Sequence, residues 1–264
     1  MSAGFNLISR LGRARLTAAL IGLISASTSA FAFECAVPRH VAPAKFVLPI
    51  FEKALHAEGD ITIVAMGSSS TQGIGASEPS KSYPAQLADE LTRHWPHHHI
   101  RVINSGVNGD TEKDMLARFQ HDLIDYHPDL VIWQVGSNTI MKGVPVEDYL
   151  ASLSDGIAQI KNIKADLILM NPQFSPAINH YPETPHLLEA MHALSAEKNI
   201  NLFQRYEIMR FWLHDDYATL DEMIGRDGIH MRDASYHCLA EVLASKIEKS
   251  VHDQKQIAIR DRHP

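Results

Sequence analysis

The sequence predicts an α/β domain of three layers, in which helices cover both faces of a mostly parallel sheet of about five strands. Three observations favour this fold. Short apolar runs lack the polar alternation of half-exposed strands, which is typical of strands buried on both faces. Longer segments with helical spacing of apolar residues separate these runs. Glycine-containing turns follow the first three runs, and in a parallel sheet such turns meet at one edge.

Each predicted strand is a short apolar run that ends at a polar or glycine-containing segment. The first precedes the turn at Gly67, the second precedes Asn104, and the third precedes Gly136. The fourth ends at Asn171-Pro172, where proline cannot continue a central strand. The five predicted strands span residues 61–66, 100–103, 130–135, 167–170 and 200–203.

The predicted helices lie between the strands. Leu87 and Leu91 share one face of the first, and the apolar residues of 113–126 recur at helical spacing. The predicted ranges are 82–93, 113–126, 146–163, 184–198 and 234–249. In addition, residues 41–58 are predicted to pack on the core with a helix that begins near Pro43 or Ala44. The polar tail, 252–264, is predicted to fray.

The N-terminus has the order of a secretory signal peptide. Arg10, Arg13 and Arg15 precede an apolar run at 16–24, and the small-residue sequence Ala30-Phe31-Ala32 follows. An uncleaved anchor is the alternative, but the run is short for a membrane span. The sequence therefore predicts a signal peptide at 1–32 and a single exported domain at 33–264, periplasmic or secreted, with no stable membrane span after cleavage.

Charge and cysteine content limit the partners. The formal net charge is −7 and the basic residues are scattered, so no nucleic-acid partner is expected. Cys35 and Cys238 are the two cysteines. Export favours a disulfide between them, and the alternative is two unpaired thiols with Cys238 packed in the core. No cofactor or metal is expected, because the histidine run at 97–99 lacks further ligands and is interpreted as a solvated turn.

Two segments carry residues that together suit acyl transfer. The sequence Asp227-Gly-Ile-His230 places an acid three residues before an imidazole. A serine-rich turn after the first strand, 67–71, offers a hydroxyl nucleophile. Serine is a weak nucleophile unless a base receives its proton, and an aspartate can orient that base. The alternatives are a helix-capping serine and a surface loop pair.

These segments and two others resemble the four sequence blocks of the SGNH/GDSL hydrolases. The turn at 67–71 is similar to Gly-Asp-Ser-Leu/Ile-Thr, 104–111 to the second block, 136–139 to Gly-x-Asn-Asp, and 227–230 to Asp-x-x-His. The resemblance implies a flavodoxin-like fold, Ser69 as nucleophile, His230 as base and Asp227 as its orienter. It also implies an oxyanion hole made by the backbone N–H groups of Ser69 and Gly109 and the side-chain amide of Asn138. As alternatives, Gly109 and Asn138 suit ordinary turns.

Two positions depart from that pattern. Ser68 stands where an aspartate usually precedes the nucleophile, and Thr139 stands where an aspartate usually follows the asparagine. Neither position has a direct chemical role in the pattern, so we expect activity to be retained. Both changes remove acidic groups beside the predicted site and are expected to alter the support of the serine turn and the acyl pocket.

The sequence thus predicts an exported serine esterase that cleaves a small acyl ester, with an O-acetyl group on a polysaccharide as the candidate substrate. The alternatives are a lipid-ester or thioester hydrolase and a non-catalytic carbohydrate-binding protein on the same fold. Four residues after the fourth and fifth strands are candidates for lining the substrate cleft, with simple packing as the alternative for each: Phe174, Tyr181, Met209 and Trp212.

Overall fold

A five-stranded parallel sheet with the order β2-β1-β3-β4-β5 forms the middle layer of the protein. The computed structural model describes residues 1, 35–38, 41 and 46–260, with side chains as far as Val251. The predicted signal peptide, apart from Met1, and the helix start at Pro43 or Ala44 lie outside the described residues. The strands are β1 (Asp60–Gly67), β2 (His99–Gly106), β3 (Leu130–Gln134), β4 (Asp166–Met170) and β5 (Asn201–Phe203).

The strand order confirms the predicted fold class and fixes where a site can form. β1 pairs with β2 on one side and with β3 on the other, so the chain changes direction across the sheet at β1 and β3. This is the flavodoxin-like order, in which the carboxyl ends of the strands on either side of the change border a crevice. The turns after β1, β2 and β3 therefore meet at one edge of the sheet.

Helices cover both faces of the sheet. One apolar layer joins one face to α1, α3, α10 and α12, and a second joins the opposite face to α4, α5, α7 and α9. The helices are α1 (Pro49–His56), α2 (Ser69–Gln72), α3 (Tyr83–His94), α4 (Glu112–Ala117), α5 (Phe119–Asp122), α6 (Ser137–Met141), α7 (Val146–Asn162), α8 (Pro176–Asn179), α9 (Thr184–Lys198), α10 (Arg205–His214), α11 (Leu220–Met223) and α12 (Asp233–Arg260). Short 3₁₀ helices span Pro79–Lys81 and Ile124–Tyr126.

Three predicted helices differ from the structure. The single helix expected at 113–126 is broken at Arg118, whose backbone leaves the helical conformation at φ −115° and ψ 6°. The last helix continues to Arg260, so residues 252–260, expected to fray, are helical. The first helix begins at Pro49, because the carboxylate of Asp166, on β4, accepts hydrogen bonds from the N–H groups of Ile50 and Phe51.

A disulfide links the start of the described region to the last helix. Cys35 and Cys238 have Cα atoms 4.8 Å apart, within the range that a disulfide requires. Cys238 lies on α12 and is buried. The bridge therefore fastens the segment that precedes α1 to the helical layer around α12. Among the described residues, no helix has both the length and the apolar character needed to cross a bilayer.

Candidate active site

The serine turn is tied to the neighbouring strand β3 through one amide oxygen. The side-chain oxygen of Gln134 accepts hydrogen bonds from the N–H of Ser68 at 2.9 Å, the hydroxyl of Ser68 at 3.0 Å and the hydroxyl of Thr71 at 3.2 Å. Ser69 lies between Ser68 and Thr71 as the first residue of α2, and it is 6% exposed. A serine at position 68 suits this acceptor, since its hydroxyl can donate to the amide oxygen whereas an ionised aspartate could only accept.

His230 is held by Asp227 in a defined orientation. The Asp227 Oδ2 atom lies 2.6 Å from His230 Nδ1, and Oδ1 accepts the N–H groups of Ile229 and His230 at 3.0 Å each. Partial burial raises the pKa of Asp227, but these three donors outweigh it and hold the pKa below its usual value. Because an ionised carboxylate only accepts, this contact assigns a proton to Nδ1, and in the neutral imidazole the lone pair of Nε2 is then free.

Gly75 brings residues 227–231, the histidine loop, against the chain that follows Ser69. A Cβ atom built on Gly75 would lie 2.9 Å from the Cβ of His230 and would also overlap the carbonyl oxygen of Met231, so only glycine permits this approach. The carbonyl of Ser69 accepts the N–H groups of Gly73 and Ile74 at 2.9 and 3.0 Å, which fixes the path from Ser69 to Gly75. The side chains of Ser69 and His230 share no hydrogen bond, and such bonds often form only in the substrate complex.

The loop after β2 and the helix α6, which follows β3, also lie at this edge of the sheet. Gly109 has φ +87° with open space at its Cβ position, so glycine is required there by conformation. The Asn138 Nδ2 atom donates to the carbonyl of Asp110 at 2.8 Å, and Lys142 Nζ donates to the carbonyl of Gly109 at 2.8 Å. The second hydrogen of the Asn138 amide stays available for a ligand. Gly109 and Asn138 are thus adjacent, as an oxyanion site requires.

A buried glutamate that the sequence interpretation missed joins these two segments. Glu112 is 3% exposed; one of its carboxylate oxygens accepts the N–H of Gly136 at 2.6 Å and the other accepts the hydroxyl of Thr139. Burial raises the pKa of Glu112, against the hydrogen bonds from Thr139 and Gly136 that lower it. In sequence Glu112 is only an acidic residue in the first turn of a helix, so no local pattern singles it out.

Arg118, which breaks the helix predicted at 113–126, binds three segments of this edge. Its guanidinium pairs with Asp110 at 2.7 Å and Asp122 at 2.8 Å, and donates to the carbonyls of Gly67 and Ser105 at 3.1 and 3.0 Å. The ends of β1 and β2 and the loop that carries Gly109 are therefore fastened together. The planar fork of arginine donors is suited to this task, whereas a lysine could not span all four acceptors.

The four residues expected to line a substrate cleft have different positions. Met209 and Trp212 have no exposed surface and belong to the core, where the Trp212 indole N–H donates to the carbonyl of Ala36 at 2.7 Å. Simple packing therefore describes these two. Phe174 is 9% exposed and contacts Tyr206 edge to face. Tyr181 is half-buried and contacts His180.

A cavity of about 380 Å³ lies close to the loop that carries His230. It is lined by Gly75, Ser77, Asp221, Glu222, Arg232, Asp233 and Ala234.

A cluster elsewhere, Cys35, His237 and Glu241, has the spacing of a metal site. Its cysteine sulfur is already in the disulfide, so this cluster does not provide a thiolate ligand.

Comparisons with known proteins show which proteins this chain is similar to. Residues 34–253 match the model of the non-GDSL lipase-like family. An arylesterase of Vibrio mimicus is 29% identical over 169 residues, 64% of this chain and 80% of that protein. An acetylxylan esterase of Geobacillus stearothermophilus is 31% identical over 100 residues, 34% of this chain and 46% of that protein. A solved two-domain esterase active on acetylated mannans superposes with a TM-score of 0.67 at 19% identity, over 79% of this chain and 55% of that one.

Proposed function

Because this chain belongs to the non-GDSL lipase-like family of SGNH/GDSL hydrolases and is a carboxylic ester hydrolase, we propose that it cleaves its ester through an acyl-enzyme formed on Ser69. The observation that carries this proposal is the pair of Asp227 and His230, which Gly75 holds against the segment that follows Ser69. Ser69, Gly109, Asn138 and the pair lie at one edge of the sheet.

The proposed reaction has two halves. In the first, His230 Nε2 takes the proton of the Ser69 hydroxyl while Ser69 Oγ bonds to the acyl carbon, and the alcohol then leaves with that proton. In the second, His230 takes a proton from water as the water oxygen attacks the acyl carbon, and it then gives that proton to Ser69 Oγ as the bond between Oγ and the acyl carbon breaks and the acid is released. The N–H groups of Ser69 and Gly109 and the Asn138 amide stabilise the oxyanion of both tetrahedral intermediates.

We propose an O-acetyl group on a polysaccharide as the substrate class. The cavity near the loop that carries His230 includes hydroxyl, carboxylate and guanidinium groups in its lining, which suit the hydroxyl-rich alcohol half of such an ester. Two of the similar proteins are described as an acetylxylan esterase and as an esterase active on acetylated mannans. A lipid-ester or thioester substrate is the competing class, and a screen of acyl-chain lengths separates the two.

We also propose that the protein acts outside the cytoplasm. The signal-peptide pattern at 1–32 supports export. The disulfide between Cys35 and Cys238 also supports it, since such bridges persist in oxidising compartments.

The nucleophile is tested with a fluorophosphonate probe and an aryl acetate assay. We expect the wild type to be labelled and Ser69→Ala to be unlabelled, with kcat lowered at least about 10³-fold because the covalent route is lost. Ser80→Ala, at an exposed serine in the 3₁₀ helix Pro79–Lys81, is the matched control and should behave as wild type. Labelling of Ser69→Ala would contradict the assignment. Glycan binding by an unlabelled wild type would instead favour the non-catalytic alternative.

The substrate class is tested separately. We expect acetate release from acetylated xylan or mannan and a fall in kcat/KM on aryl esters as the acyl chain lengthens beyond a few carbons. Higher kcat/KM on long-chain esters, without acetate release from either polysaccharide, would favour the lipid class and leave the role of Ser69 intact.

A further inference from the structure

We propose that Gln173 is a positioning residue that keeps Ser69, Asn138 and His230 at fixed positions relative to one another. This inference rests on the proposed function. Gln173 follows β4 by three residues and is 1% exposed. It lies outside the four sequence blocks, and no local pattern marks it. Its side chain nevertheless reaches a residue adjacent in sequence to each of Ser69, Asn138 and His230.

The contacts of Gln173 connect three separate segments. Its Oε1 atom accepts the hydroxyl of Ser137 at 2.7 Å and, at the limit of hydrogen bonding, the hydroxyl of Ser70 at 3.5 Å. Its Nε2 atom donates to the carbonyl of Ile229 at 3.2 Å. Ser70, Ser137 and Ile229 are the immediate neighbours of Ser69, Asn138 and His230. One amide therefore spans the nucleophile turn, the start of α6 and the histidine loop.

A buried arginine fixes which way this amide points. Arg205 is fully buried, and its guanidinium donates to Gln173 Oε1 at 2.9 Å and to the carbonyl of Asn171 at 3.0 Å. Burial lowers the pKa of Arg205 to about 10, which leaves it charged at neutral pH. Because a guanidinium only donates, the oxygen of Gln173 must face it, and the NH₂ group must then face Ile229. Both serine hydroxyls consequently donate towards the same oxygen.

This arrangement predicts an effect on turnover rather than on substrate binding. Gln173 is nearly inaccessible to solvent, so its replacement removes no contact that a surface-bound substrate could make. Its loss frees the three segments to shift independently, and displacement of catalytic groups by about 1 Å can lower a rate about 10²-fold. A residue that serves stability alone would leave the kcat of the folded fraction unchanged.

The test compares Gln173→Leu with Asn201→Leu. Asn201, on β5, makes three side-chain hydrogen bonds where Gln173 makes four: two to Val47 and one to the carbonyl of Leu167, at the opposite end of the sheet. With both proteins folded by circular dichroism, we expect Gln173→Leu to lower kcat about 30- to 100-fold with KM changed less than about 3-fold. Asn201→Leu should lower the unfolding midpoint with kcat within about 2-fold of wild type.

A second variant covers the case in which Gln173→Leu does not fold. Gln173→Glu keeps the acceptor for Ser137 and pairs with Arg205, but it cannot donate to Ile229, so we expect an intermediate loss of kcat, about 5- to 20-fold, and a changed pH profile. Wild-type kcat in folded Gln173→Leu, or in Gln173→Glu if the former is unfolded, would overturn the inference. Failure of the proposed function would be seen separately, as a wild type that is not labelled at Ser69.

Discussion

Ser68 and Thr139, the two residues that depart from the SGNH/GDSL pattern, each have a hydroxyl that donates to a buried acceptor. Ser68 donates to Gln134, and Thr139 donates to Glu112. An aspartate at 139 would place a second carboxylate against that of Glu112, and two adjacent carboxylates cannot both ionise cheaply. Thr139 and Glu112 are therefore interpreted as a matched pair whose identities depend on each other.

A double-mutant cycle tests this pair. We expect Thr139→Asp to lower the free energy of unfolding by about 2–4 kcal/mol, because it removes a donor and adds like charge at a buried site. Adding Glu112→Gln should recover at least about 1 kcal/mol, since the amide can donate to the new carboxylate while its oxygen still accepts the N–H of Gly136. Urea denaturation of the four proteins measures the coupling, and strictly additive effects would contradict it.

At the scale of single elements, α1 depends on an acid that lies far from it in sequence. Asp166 accepts the N–H groups of Ile50 and Phe51 at 2.8 Å each, as an N-cap residue would. Burial raises the pKa of Asp166 to about 6, against these two donors that lower it. The pKa of an aspartate in an unfolded chain is about 4, so the folded protein holds this proton more tightly.

The titration of Asp166 predicts how stability varies with pH. A folded pKa above the unfolded one contributes stability that is present below about pH 4 and is lost as the pH rises through about 6. Asp166→Asn keeps an acceptor for α1 but does not titrate. We expect the free energy of unfolding of the wild type, relative to Asp166→Asn, to fall between these two pH values and then level off. Parallel curves for the two proteins would contradict this.

The same element shows why part of the fold was predictable from sequence and part was not. The five strands were predicted correctly because each contains a short apolar run; β1, β3 and β4 are buried almost throughout, whereas the edge strands β2 and β5 are only partly buried. The start of α1 was not, because its cap is supplied from β4. The helix at 113–126 was predicted whole because its apolar spacing is helical, but Arg118 leaves the helix to bind groups on β1 and β2. Local patterns do not contain such distant partners.

The site shows the same difference between residues that lie in local sequence patterns and residues whose contacts are with distant segments. Ser69, Gly109, Asn138, Asp227 and His230 lie in short motifs, and their catalytic roles stay predictions. Glu112 and Gln173 carry no motif, since their importance comes only from contacts with distant segments. Met209 and Trp212 were expected to line the substrate cleft but lie in the core, because apolar residues after a strand can equally fill the core.

At the scale of the whole molecule, the disulfide is expected to act on stability rather than on catalysis. The bridge spans a sequence separation of 203 residues, and closing long loops restricts the unfolded chain most. We expect reduction to lower the free energy of unfolding by about 2–5 kcal/mol with little change in kcat. Urea denaturation with and without dithiothreitol measures this. The variant Cys35→Ala/Cys238→Ala should be insensitive to reductant, and an unchanged wild-type midpoint would contradict the expectation.

The same bridge has a consequence for the fate of a cleaved chain. Ser69, Gln173 and His230 all lie between Cys35 and Cys238, inside the covalent ring that the disulfide closes. A single proteolytic cut at any peptide bond within that ring opens the backbone but releases no fragment, because the two pieces stay linked through sulfur. A nicked molecule therefore keeps Ser69 and His230 in one covalent unit, and loses that linkage only when a reductant reaches the bridge.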